Sequence, residues 1–291
     1  MPSLKDLKNR IGSVKSTQKI TSAMKMVAAA KLRRAQEQAI ASRPYSDNMD
    51  KIVKNLAKKL IFNAPELLKG KPEINTQLLV VFSADRGLCG GFNGSITRAV
   101  KSAIIDANSK KIETILLLVG RKSADALRRE FKENFFEVIT GNSANPKFND
   151  SSMIAKKIID LFKQDKFGTC KIVYNKFISA ISQEVTFKSL IPVEFEVEED
   201  KDVSGSSSVY EYEPSEEEIL EDLLSRNIST QLFSAQIEST ASELAARMTA
   251  MDNATRNAGD LIDRLTLQYN RTRQAFITKE LIEIISGAEA L

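Results

Sequence analysis

The sequence predicts an α/β protein: long N- and C-terminal helices pair as an antiparallel coiled coil, and the middle of the chain folds as a three-layer, Rossmann-like α/β domain. Three observations predict it. The stretches Ser3–Phe62 and Pro214–Leu291 are almost free of helix breakers. Both carry apolar residues at alternating steps of three and four. Between them, short β-branched runs alternate with helix-forming stretches. The organisation this predicts is an N-terminal coiled-coil helix over residues 1–62, an α/β domain over 76–193, an acidic segment over 194–213 and a C-terminal coiled-coil helix over 214–291.

From Ser3 to Phe62 only Gly12 and Pro44 interrupt a tract rich in Ala, Lys, Arg, Gln and Met, which favour helix, so one long helix is expected, with Pro44 as its point of bending. Leu4, Leu7, Ile11 and Val14 start a seam that is broken by Gln18, Thr21 and Lys25 and resumes at Ala28, Leu32, Ala35 and Ala39. The middle supplies strands at Gln77–Phe82 and Glu113–Val119, apolar and β-branched as buried parallel strands are. Phe135–Ile139, Lys171–Ser179 and Glu184–Ile191 add three more, with helices near Ser95–Ala107, Ser123–Phe131 and Ser152–Phe162. At Pro214-Ser-Glu-Glu-Glu218 a serine N-cap precedes carboxylates that suit the positive end of a helix. The helix begun there meets only Gly259 and Gly287, so it can run for about 70 residues, or about 105 Å. Ile237, Ala241, Leu244, Met248, Met251, Thr255, Ala258, Ile262, Leu265, Tyr269, Thr272 and Phe276 keep the heptad spacing of a left-handed supercoil. The first helix is the economical partner, and the alanines of both allow close approach.

Composition removes much chemistry. The 291 residues include no histidine, which excludes Ser-His-Asp and Cys-His catalysis and the common zinc sites. Cys89 and Cys170 are the only cysteines and have no metal-knuckle spacing, as fits a reducing compartment. The start Met-Pro-Ser-Leu-Lys-Asp lacks the apolar core of a signal peptide, and no apolar run is long enough to span a bilayer. With 42 basic against 38 acidic side chains, the chain as a whole is not built for nucleic acid.

One glycine-rich loop, Ser83–Asn93, falls between a strand and a helix, where doubly wound folds hold phosphates. Its glycines match neither dinucleotide nor P-loop spacing, and a tight structural turn is the simpler reading, with Asp85 and Arg86 as a loop-fixing ion pair and Cys89 as a small buried hydrophobe. Charge is segregated. Residues 1–35 hold Lys5, Lys8, Arg10, Lys15, Lys19, Lys25, Lys31, Arg33 and Arg34 against Asp6 alone, a solvated face or a positive shaft for an acidic sleeve of proteins. No aromatic residue interleaves them, which disfavours nucleic acid. Residues 194–222 are acidic, with Lys201 their one lysine. From these residues alone, a nucleotide-binding α/β enzyme with a helical oligomerisation arm and a static coiled-coil adaptor both stay open.

Three motifs then carry a resemblance. The stretch Asn9–Lys31 with Ser22-Ala-Met-Lys25, the loop Asp85-Arg-Gly-Leu-Cys-Gly-Gly91 and the ending Ile277-Thr-x-Glu-x-x-Glu-x-x-x-Gly-Ala-x-Ala290 together resemble the gamma subunits of F-type ATP synthases in order and separation. The resemblance implies a non-catalytic central-stalk rotor that binds no cofactor, with its paired termini inside a hexamer of alpha and beta subunits. It places the α/β domain and the acidic segment against an epsilon subunit and a membrane c ring. It also implies roles for particular residues. Met24, Arg247, Gln274 and Thr278 are the expected contacts with the hexamer, and Tyr210, Tyr212 and Glu213 the expected contacts at the foot. With no paired-cysteine insert and no Arg- and Ser-rich presequence, the chain is expected at the cytoplasmic face of a bacterial inner membrane, ahead of the matrix side of a mitochondrial one.

Overall fold

A computed structural model describes residues 3–59, 65–141, 146–193 and 216–289. The chain order is α1 (Leu4–Lys59), α2 (Glu66–Lys69), β1 (Thr76–Phe82), α3 (Phe92–Ser109), β2 (Glu113–Val119), α4 (Arg121–Phe131), β3 (Phe135–Ile139), α5 (Phe148–Lys163), β4 (Thr169–Phe177), β5 (Gln183–Ile191) and α6 (Glu216–Glu289). It divides into two compact units, Met1–Ala30 with Arg247–Leu291, and Lys31–Ala246.

In the larger unit the strands form one sheet in the order β3-β2-β1-β4-β5. β1 pairs in parallel with both β2 and β4, β2 pairs in parallel with β3, and β5 closes the edge antiparallel to β4. Such a sheet is buried on both faces because its crossover helices cover it, which is why Leu78–Phe82 and Leu116–Val119 are continuously apolar. On one face Leu79, Val81, Leu116 and Leu118 pack with Ile96, Val100 and Ile104 of α3 and Leu127 of α4. On the other, Leu78, Val80 and Leu117 pack with Ile154, Ile158 and Phe162 of α5. The same core takes in Ile228, Leu232 and Ala235 of α6. The three layers are therefore as expected, but the second helical layer includes part of α6, which the heptad reading assigned wholly to the coiled coil. Ile237, Ala241 and Leu244 are buried, as heptad positions should be, yet they belong to this larger unit. The one-turn helix α2 carries too little periodicity to be read from sequence; its Leu68 packs with Met49 and Val53 of α1 and Leu224 of α6.

In the smaller unit, α1 begins with a reciprocal cap in which Ser3 Oγ accepts from Asp6 N at 3.2 Å and Ser3 N donates to Asp6 Oδ2 at 3.2 Å. The first part of α1 runs antiparallel to the last part of α6. Leu7, Ala28, Met251, Ala258 and Leu265 are buried along their seam. The polar interruption expected at Gln18, Thr21 and Lys25 is a cross-helix layer. Thr255 Oγ1 and Thr21 Oγ1 share a hydrogen bond of 2.7 Å, and Lys25 Nζ donates to Asp252 Oδ1 at 2.6 Å. Gly259 faces Gln18 across this layer, where a Cβ in its place would lie 3.2 Å from Gln18 Nε2 and would ask that amide to shift.

Candidate functional site

Two regions deserve the name of site: the crevice at the carboxyl ends of the strands and the surface of the terminal helix pair. In doubly wound folds ligands bind where the strand order reverses, which here is between β1 and β4. The chain itself fills that place. Asn175 of β4 donates from Nδ2 to Phe92 O at 3.4 Å, and its own carbonyl accepts from Ser242 Oγ of α6 at 2.8 Å. Ala246 of α6 packs against the core beneath α3 and α4.

The glycine-rich loop beside the crevice is tied down in the same way. Asp85 Oδ1 accepts from Arg121 N, the first residue of α4, at 3.1 Å, and Oδ2 accepts from Gly141 N at 3.0 Å. A carboxylate of this chain thus sits at the helix N-terminus, a position that in phosphate-binding folds receives a ligand anion. The loop-fixing role expected of Asp85 is carried by these two backbone bonds, which join the loop after β1 to the chain after β2 and β3. Asn93 completes the turn, accepting from Ala84 N at 3.1 Å and donating to Cys89 Sγ at 3.0 Å. Cys89 is buried as expected. Leu88, by contrast, stands 63% exposed with φ at +65°, a left-handed leucine for which the sequence offers no signal. Cys170 is buried in the other core, where desolvation pushes its thiol pKa far up.

On the helix pair, Met24 and Arg247 are half-buried, and Gln274 and Thr278 are exposed. Counting outward from Thr21 and Thr255, Met24 is level with Asp252, about 7 Å along the axis from Arg247. These two positions share one zone. Gln274 and Thr278 share another, one turn apart, with Thr278 Oγ1 donating to Gln274 O at 2.9 Å. By the same count Leu4 is level with Thr272, so α6 continues past the start of α1 for almost five turns. Phe276, expected as a seam residue, is consequently 51% exposed: its partner helix has ended. Ile277, Leu281, Ile282, Ile284 and Ile285 are 48–72% exposed along the same run. Such a density of open apolar side chains marks a surface made to be covered. Lys5, Lys8, Arg10, Lys15 and Lys19 are all exposed on α1, so the basic face is solvent-facing. Tyr210, Tyr212 and Glu213 lie outside the described residues, as do the whole acidic segment 194–213 and the expected Ser215 cap.

An α/β body whose ligand crevice is closed by its own side chains, joined in sequence to helices with uncovered basic and apolar surface, defines a class of protein built to be held by others. Comparison with known proteins specifies it. Residues 3–291 match the family described as ATP synthase. The chain is 52% identical to the ATP synthase gamma chain of Rhodospirillum rubrum and 51% identical to that of Paracoccus denitrificans, each across the full length of both proteins. Among solved structures it resembles a chain of the Tetrahymena thermophila mitochondrial ATP synthase central stalk and c ring, at 28% identity and a TM-score of 0.64, covering 81% of this chain and 99% of that one. A chain of the Euglena gracilis mitochondrial enzyme shares the fold over 99% of this chain and 94% of its own, with a TM-score of 0.69 at 22% identity. The chain belongs to the ATP synthase gamma-chain family.

Proposed function

We propose that this chain is the non-catalytic central-stalk rotor of a proton-translocating F-type ATP synthase, coupling rotation of a membrane c ring to ATP synthesis and hydrolysis in a hexamer of alpha and beta subunits. The observation that carries the reading is the unpaired end of α6, where a single helix displays Phe276, Ile277, Leu281, Ile282, Ile284 and Ile285. An isolated helix with that surface is sustained by a partner that encloses it, and a hexamer with a central passage encloses it from all sides. Met24 and Arg247 are its contacts at one level of the hexamer and Gln274 and Thr278 at another. Tyr210, Tyr212 and Glu213 meet the c ring and the epsilon subunit. Among the described residues no helix is long and apolar enough to cross a membrane, which suits a peripheral subunit, here assigned to the cytoplasmic face of a bacterial inner membrane.

The reading is tested in a bacterium deleted for its own gamma chain. Expression of this chain is expected to restore ATP-driven proton pumping in inverted membrane vesicles and to co-purify with an ATPase hexamer. Recovery of the chain without a hexamer would overturn it. Micromolar binding of ATP or NAD by the isolated chain in calorimetry would instead favour a nucleotide-binding enzyme.

A further inference from the structure

Within the α/β body helix α6 is enclosed on most sides, with Ile237, Ala241, Leu244 and Ala245 buried besides the residues of the second helical layer, so its rotational setting is decided by apolar packing and polar bonds together. Ile228, Leu232 and Ala235 form the stripe that joins the core beneath α5. Dispersion between such surfaces is weakly directional, whereas a buried hydrogen bond is lost on a small rotation. The polar bonds of this stretch are therefore the informative ones. Among them are three that reach the α/β body. Ser151 Oγ of α5 donates to Gln236 Oε1 at 3.0 Å. Phe177 N, at the end of β4, donates to Glu238 Oε2 at 3.1 Å. Ser242 Oγ donates to Asn175 O of β4 at 2.8 Å. Gln236, Ser242, Ser151 and Asn175 are each no more than 2% exposed, so water cannot replace a broken bond without opening the core.

Their placement around the helix is what gives them a mechanical meaning. Each residue turns an α-helix by about 100°, so with Gln236 at zero, Glu238 stands at about 200° and Ser242 at about 240°. On the same scale Ala235, Ile228 and Leu232 occupy about 260° to 320°. The stripe of Ile228, Leu232 and Ala235 thus lies between two polar margins, Gln236 on one side and Glu238 with Ser242 on the other, while Ile237, Ala241, Leu244 and Ala245 are buried on the far side of the helix. A turn of the helix in either direction pulls one margin away from its partner.

We infer that Gln236, Glu238 and Ser242 form a two-sided clamp that fixes the rotational setting of α6 on the α/β body, and that they are positioning residues through which torque enters the helix. The inference rests on the rotor reading, which it deepens by naming where the body grips its longest helix. The clamp belongs to the larger of the two units. Its loss lowers the number of protons moved per ATP hydrolysed and spares hydrolysis itself.

The experiment uses the complete complex in vesicles from the complemented deletion strain, with hydrolysis and pumping measured on the same preparation. Glu238→Leu combined with Ser242→Ala empties one margin. It is expected to assemble, to hydrolyse ATP at the wild-type rate and to lose pumping several-fold. Glu238→Gln keeps an oxygen for Phe177 N and is expected to pump as wild type. Ser151→Ala with Gln236→Leu removes both members of the bond on the opposite margin, a paired replacement that core packing tolerates. It is expected to lower the same ratio. An unchanged ratio of pumping to hydrolysis in both double variants, or loss of assembly in both, would overturn the clamp by making these residues mere packing. Failure of the unmodified chain to restore pumping would strike the rotor reading instead, so the two failures are separable.

Discussion

At Asp252 one carboxylate ties two helices together by charge. Lys25 holds its pKa below the ordinary carboxylate value through a hydrogen bond and its nearby charge, and Arg256 adds to the effect. A carboxyl whose pKa is depressed on folding stabilises the folded state above its unfolded pKa, about 3.9, and that contribution is lost as pH falls through the folded value. Asp252→Asn is therefore expected to lower the melting temperature at neutral pH, with the gap from wild type closing below about pH 4. A gap that is constant with pH would show that Asp252 acts by packing. Another single residue sets the geometry of the closed crevice. Gly120 has φ at +114°, and a Cβ there would lie 2.1 Å from Ser83 O. Ser83 also bonds Ser123 side chain to side chain at 2.7 Å in the buried joint between β1 and α4, so neither can step aside cheaply. Gly120→Ala is expected to destabilise the chain by about 3 kcal/mol or more, read as a lowered urea midpoint.

For the helix pair, the same residue type has opposite consequences on either side of the point where α1 begins. Leu265 is 5% exposed in the seam, and Leu265→Ala is expected to cost about 2–5 kcal/mol, seen as faster amide exchange over Leu4–Ala28. Phe276→Ala, beyond the end of α1, is expected to change the stability of the isolated chain by less than about 0.5 kcal/mol. The heptad pattern in the sequence makes no distinction between the two, because periodicity records that a face is buried and not by what. That is the physical reason why α6 was legible as a helix while its division between seam, sheet layer and unpaired end was not. The sheet was easier. Runs such as Leu78–Phe82 are apolar on both faces, which only a covered parallel strand requires, and their ends fell within two residues of expectation. The clamp residues had no such signal: Gln236, Glu238 and Ser242 are polar residues in a helix and fall outside its heptad positions. The closing of the crevice was likewise invisible, since Ser242 and Asn175 are 67 positions apart in the chain.

Across the molecule the question is whether the helix surface transmits force or only fits its surroundings. Arg247 and Gln274 lie 27 residues apart in α6, about 40 Å along one uninterrupted helix, so no single local contact holds both. Two points of grip at different heights act as a lever, while one would act only as a bearing. Arg247 offers a planar fork of donors suited to carboxylates, and Gln274 both donates and accepts. Gln274 is exposed on the unpaired end, and Arg247 falls outside the seam positions, so truncation of either leaves the buried layer of Leu7, Ala28, Met251, Ala258 and Leu265 intact. Arg247→Ala and Gln274→Ala are therefore expected to assemble normally and to lower ATP-driven proton pumping, with smaller changes in the apparent affinity for ATP. Hydrolysis and pumping measured together in membrane vesicles decide between the alternatives. Wild-type values for both would make these residues solvated surface, and failed assembly would make them structural. The variants also separate levels of the machine: a clamp variant slips within the α/β body and loses coupling whatever the load at the helix surface. Loss of one surface contact leaves the other in place, so the single substitutions are expected to retain partial coupling and the double substitution to lose more than either.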